Sequence, residues 1–163
     1  MRVRHALIGA LCALGLTFAA AAPAVAAPDT TTIVLVQAKP VIVQLSTAAL
    51  GQTGYSFAFA ADLSTAAGKR AGVLAGTVLT VDVAADRVMD TARHRQLVFR
   101  LKGGQLMAQG LSFYPAASAE LAAMRPVVIA IVGGTGKYIG ASGEVKTTRQ
   151  ADGTYRHVIT LVR

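Results

Sequence analysis

Hydrophobic and polar positions alternate with a period of two along much of the chain after residue 30. Tyr55, Phe57 and Phe59 alternate with Ser56, Ala58 and Ala60, which predicts a strand carrying three aromatic rings on one face. Near the C-terminus Tyr155, His157, Ile159 and Leu161 alternate with Arg156, Val158, Thr160 and Val162, and Asp152-Gly153 supplies the turn that leads into this last strand. Residues 31–46 are β-rich but broken at Pro40, which lacks a ladder donor and marks a sheet edge, a bulge or the join of two short strands. Residues 70–83 form a long strand with Gly72 and Gly76 as sites of sharp coiling. Strands over 96–101 and 105–114 meet around Gly103-Gly104, a hairpin signal.

One stretch organises the rest. Val127 to Val132 is an unbroken apolar run rich in β-branched residues, which predicts a strand buried on both faces. It enters Gly133-Gly134-Thr135-Gly136, passes through Lys137-Tyr138 and Gly140, and leaves as a strand over 141–148. Between these elements, residues 84–95 read as a polar loop with at most one helical turn, its Arg93-His94-Arg95 group at a solvated tip. Residues 115–125 read as a connection able to form a short helix. The sum is about eight short-turned strands, the pattern of an up-and-down antiparallel barrel or a sandwich.

The N-terminal residues follow a different logic. Arg2 and Arg4 form a basic start, residues 6–22 are apolar but short for a membrane span, and Ala24-Val25-Ala26 is a small-residue cleavage site. Residues 1–26 are therefore expected to be a signal peptide cleaved after Ala26. Residues 27–163 are then one exported domain, secreted or periplasmic, without a stable membrane anchor. The single cysteine, Cys12, leaves with the signal, so the mature chain has no thiol nucleophile, disulfide or thiolate metal site. About 137 residues suffice to bury one core without disulfides.

Charge narrows the partners. The formal net charge is +8, falling to +6 once Arg2 and Arg4 are removed. The cations are scattered, however, and carry no interleaved aromatics, so nucleic acid is not an expected partner. His94 and His157 lack ligand spacing with carboxylates, so no metal is expected. No serine sits in a GxSxG setting. The glycine loop also fails both nucleotide patterns: Ile131 stands where a P-loop needs its first glycine, and Gly134, Gly136 and Gly140 give GxGxxxG in place of GxGxxG. No cofactor is expected.

What residues 130–145 do resemble is the signature linking two late strands in the allene oxide cyclase and dirigent proteins and their bacterial relatives, here Ala130-Ile131-Val132-Gly133-Gly134-Thr135-Gly136-Lys137-Tyr138-Ile139-Gly140-Ala141-Ser142-Gly143-Glu144-Val145. Upstream, Phe57, Phe59, Asp62, Leu63, Gly68, Lys69, Gly72 and Gly76 extend the likeness, which then covers roughly Gly51–Arg163. The resemblance implies an all-β fold, an eight-stranded antiparallel β-barrel of the allene oxide cyclase/dirigent-like type, commonly a homotrimer or homodimer. It implies a cavity for a small hydrophobic, partly oxygenated molecule whose cyclisation or stereoselective coupling the barrel guides. Allene oxide cyclases proper have a cysteine near the cavity, and its loss here counts against that specific activity. Ser142 stands where many relatives have arginine.

An eight-stranded barrel either fills itself with side chains or holds one small ligand. Asp62, which matches the acidic residue after the aromatic strand, is the candidate general acid or base, with Glu144 and Arg100 as further catalytic candidates. Tyr55, Phe57, Phe59, Gln109, Tyr138 and His157 are the candidate ligand-binding residues. Such chemistry depends on holding a reactive conformer and needs no nucleophile. The alternatives are a non-catalytic carrier and a structural barrel with a filled core.

Overall fold

A computed structural model describes residues 29–81 and 90–162. Nine strands appear in chain order: β1 (Thr30–Gln37), β2 (Val41–Gln44), β3 (Ser56–Thr65), β4 (Arg70–Thr80), β5 (Asp90–Leu101), β6 (Gly104–Pro115), β7 (Val127–Gly134), β8 (Ser142–Arg149) and β9 (Tyr155–Val162). All neighbours are antiparallel, in the order β1-β9-β8-β7-β6-β5-β4-β3-β2. The sheet closes because β1 pairs with β9 along its whole length and with the end of β3 at Leu35↔Thr65 through Gln37↔Leu63. The result is a closed eight-stranded antiparallel barrel with β2 as one extra strand.

Pro40 explains the extra strand. Beyond it the chain runs on along the same edge of β3, with Val41 opposite Ala60 and Gln44 opposite Phe57, so β1 and β2 are two segments along one edge of β3. This is the join of short strands that the sequence suggested.

Inside the barrel, alternation sorts side chains into two halves. The half where β3, β5, β7 and β9 end and β4, β6 and β8 begin is apolar and includes Leu63, Leu74, Leu97, Phe99, Leu106, Val145 and Ile159, all essentially inaccessible. It is sealed by the glycine loop. Thr135 donates its N–H to the Gln105 carbonyl and Lys137 its N–H to the Gly103 carbonyl, both at 2.9 Å. A Cβ on Gly104 or Gly136 would strike the facing backbone, so these glycines permit the close approach. The 3-10 turn Gly136–Tyr138 then folds Tyr138 into the apolar core.

Four sequence expectations are corrected. β7 is buried on one face only: Ile129 and Ile131 are inside, while Val128 and Val132 are 49% and 51% exposed. Its apolar run is continuous because the outward row is apolar too. Asp90 to Arg95 belong to β5 and not to a loop, and Arg93 and Arg95 are 0% and 2% exposed. Residues 84–89 lie outside the described region, as do the predicted signal peptide and residues 82 and 83 of the strand expected over 70–83. Residues 115–125 form turns and a single bridge, Ala123 to Arg149, with no helix. The β5–β6 hairpin also turns one residue earlier than expected, through Lys102-Gly103, leaving Gly104 paired with Leu101.

Candidate functional site

The second half of the barrel interior is aromatic and polar. Tyr55, Phe57, Tyr114, Leu121 and Tyr155 form its buried cluster with Val78. Tyr55, Phe57 and Phe59 share one face as the alternation predicts, with ring centroids 5.8 Å and 6.3 Å apart in succession, a spacing suited to tilted aromatic packing.

Into this half project side chains from every quarter of the barrel. Arg93 lies over the Tyr114 ring at 4.6 Å and near the Tyr55 ring at 5.8 Å, so two aromatic faces stabilise its charge. Its Nε donates to Thr91 Oγ1 at 3.1 Å. Burial holds the Arg93 guanidinium below its ordinary pKa, partly offset by Tyr114 and Tyr55. Burial also pushes the Tyr114 phenol up, against the pull of Arg95 and Arg93.

The rim is set by residues 115–125. Glu120 accepts from Arg149 Nη2 at 2.9 Å and from the Tyr155 hydroxyl at 3.1 Å. Desolvation first, and the Glu120 charge second, raise the Tyr155 phenol well above its usual range. The bond to Glu120 raises Arg149. Deeper, His157 is fully buried between Thr147 and Gln37, with Nδ1 2.9 Å from Thr147 Oγ1 and Nε2 2.9 Å from Gln37 Oε1. Because the amide oxygen faces it, Nε2 carries the proton and Thr147 donates to Nδ1. Burial, then Arg95, lowers the His157 pKa to about 3, so the imidazole is neutral.

Phe57, Phe59, Arg95, Tyr114, Glu120 and Tyr155 help line an internal cavity of only about 20 Å³, room for roughly one water. Pro40, Ile42, Ala119 and Glu120 wall both this cavity and an open groove of about 690 Å³ outside it. The polar half thus meets a mouth, and the apolar half is closed.

The candidates named from sequence divide sharply. Tyr55, Phe57, Phe59 and His157 come together in or beside the polar half. Tyr138 is buried at the opposite, closed end. Asp62 points outward with its side chain 72% exposed, 3.7 Å from Arg70, and Arg100, Gln109 and Glu144 lie on the exposed outer face. The residues that sequence reasoning missed are Gln37, Thr80, Arg93, Arg95, Ser112, Glu120, Thr147 and Arg149, with Tyr114 and Tyr155. Among the described residues no three of His, Cys, Asp and Glu converge as a metal site needs.

No family model matches the chain, and no curated protein matches it. Solved structures do. A pyocyanin demethylase shares 24% identity over 80% of this chain and 99% of its own, at a TM-score of 0.63. A Diels-Alderase from Streptomyces koyangensis shares 12% identity over 83% of this chain and 69% of its own, at 0.61. The chain shares their antiparallel β-barrel fold. A pterocarpan synthase dirigent protein adds 16% identity over 83% of this chain and 85% of its own, at 0.57. At these identities the dirigent-like likeness is one of fold. The chemistry rests on the side chains this barrel places inside.

Proposed function

We propose that the barrel binds a small, conjugated, partly oxygenated molecule at its open end and guides its cyclisation or stereoselective coupling. The observation that carries this reading is the asymmetry of the interior: a closed apolar end, and opposite it a buried aromatic and polar half that meets an open groove. Apolar walls with a few convergent polar groups are the usual make-up of a small-molecule site. Among the described residues Glu120 is the carboxylate that lines the cavity, and with Tyr155 and Arg149 it supplies a proton-handling group beside an aromatic wall. Orientation against that wall is enough to favour one reactive conformer. The names of the neighbours in fold, a demethylase, a Diels-Alderase and a pterocarpan synthase, lie in small-molecule chemistry and support the reading.

The proposal includes export with cleavage after Ala26, and assembly into a homotrimer or homodimer through the apolar outer row of β6 and β7. A second reading, a structural barrel with a filled core, is favoured by the cavity's size of about 20 Å³. It is tested together with the first. The chain has no Trp and four Tyr, three of them in the polar half, so tyrosine emission reports on that region. Titration with conjugated enones and phenols should quench it saturably for at least one compound, and chiral chromatography of that mixture should show one enriched product. Unchanged emission across the panel would leave the filled barrel standing.

A further inference from the structure

The hydrogen-bond donors of the polar half are not all used. Two neighbouring rungs cross β4, β5 and β6: Thr80, Arg93 and Ser112 on one, Val78, Arg95 and Gly110 on the next. On these rungs Thr80 Oγ1, Arg93 Nη1, Arg95 Nε, Arg95 Nη1 and Ser112 Oγ are all buried without a hydrogen-bond partner among the described residues. Such atoms are rare in folded proteins and costly to keep, above all on ions. Here five fall side by side on one wall, and the Arg95 side chain lines the cavity.

The charge is equally one-sided. Arg93, Arg95 and Arg149 face the polar half, and among the described residues the carboxylate that meets them is Glu120, already held by Arg149 and Tyr155. Asp90, at the start of β5, is paired with Arg125 at 2.8 Å. Arg93 has its two aromatic rings, and Arg95, across the ladder from Gly110, has a hydrogen bond with the Tyr114 side chain.

We infer that Arg95, backed by Arg93, Ser112 and Thr80, is an oxyanion-recognition site, and that the molecule bound by this barrel is a small aromatic oxyanion, a carboxylate or a phenolate. The inference deepens the proposed function and rests on it. The anionic oxygen takes the free N–H groups of Arg95, where a charge-assisted bond in a buried site is strong. The cavity admits little beyond the anionic group, so the ring extends past Ile42 and Glu120 into the open groove. Glu120 repels a second negative charge at the mouth, so a monoanion is favoured over a dianion.

The test uses the full chain exported from a host that processes it, with 2-naphthoate, its neutral isostere 2-naphthamide, and 4-nitrophenol as probes, measured by calorimetry. The carboxylate should bind at least about tenfold tighter than the amide, the worth of one charge-assisted bond. 4-Nitrophenol should bind with growth of its yellow phenolate band. Binding of only one of the two anions supports the site and tells carboxylate from phenolate. Arg95→Gln should abolish the preference for the anion while the ligand-free protein melts at the same or a higher temperature, since a buried cation without a counter-ion is removed. Lower melting of Arg95→Gln with the preference intact would mark Arg95 as structural and overturn the assignment. Equal binding of amide and carboxylate by the wild type would overturn the oxyanion site while leaving a small-molecule barrel. Binding of none of the probes would overturn both.

Discussion

At the scale of single residues, parity along a strand decides which polar group faces the chemistry. Leu97 and Phe99 are buried, and stepping back by twos from them reaches Arg95 and Arg93. The same step explains why Arg100 and Glu144, adjacent to buried Phe99 and Val145, point out. The aromatic wall was legible because its three rings announce their own face. The arginines were not, because a run of Arg-His-Arg reads as solvated unless the strand is extended back through it. His157 shows what full burial does to a titratable group. Its pKa is about 3 folded against 6.5 unperturbed, so between those values the unfolded chain binds more protons. Stability should therefore rise with pH from about 3 to 6.5, by at most about 1.4 kcal/mol per unit from this group, and be flat in it above 6.5. Urea unfolding at a series of pH values should give a shallower profile for His157→Gln than for the wild type. Equal slopes would mean that the imidazole is charged when folded.

At the scale of elements, β-strand existence was readable and the boundaries less so. The breaks at Pro40 and Gly153 were visible because proline and glycine act locally. The start of β5 was hidden, since its first residues are Asp90 and Thr91 and its inward positions are cationic. The apolar face of β7 that meets solvent could not be told from one that meets a core, because composition alone does not show what lies across a surface. Gly76 illustrates how closely these strands are fitted. Phe59 is its partner across the β3–β4 ladder, and an added Cβ would lie 2.7 Å from the Phe59 ring and 2.8 Å from Leu97 Cδ2. Gly76→Ala should thus destabilise by about 1 to 3 kcal/mol through overpacking. In a Phe59→Leu background the same substitution should cost less, a coupling that a double-mutant cycle in urea measures directly. Strict additivity would show that the ring does not lie over the glycine.

At the scale of the whole molecule, the fold is a tube closed at one end by a glycine loop and opened at the other between β2 and residues 115–125. The signature read from sequence is the closing device. It reports the fold faithfully and says little about the ligand, because Tyr138 and its glycines sit at the apolar end and the polar groups lie at the other. The outer surface carries its own message: Met107, Leu111 and Phe113 on β6 and Val128 and Val132 on β7 are each between 38% and 51% exposed. An apolar row of this extent is the kind of surface that subunit contacts cover. Native mass spectrometry of the full chain purified from its natural host, followed by denaturing extraction, shows whether the barrel is occupied. The expected result is a mass two or three times that of residues 27–163, each subunit carrying the extra mass of one small aromatic anion that denaturation releases. A clean mass with no added molecule, unchanged after incubation with aromatic carboxylates and phenols, would contradict it.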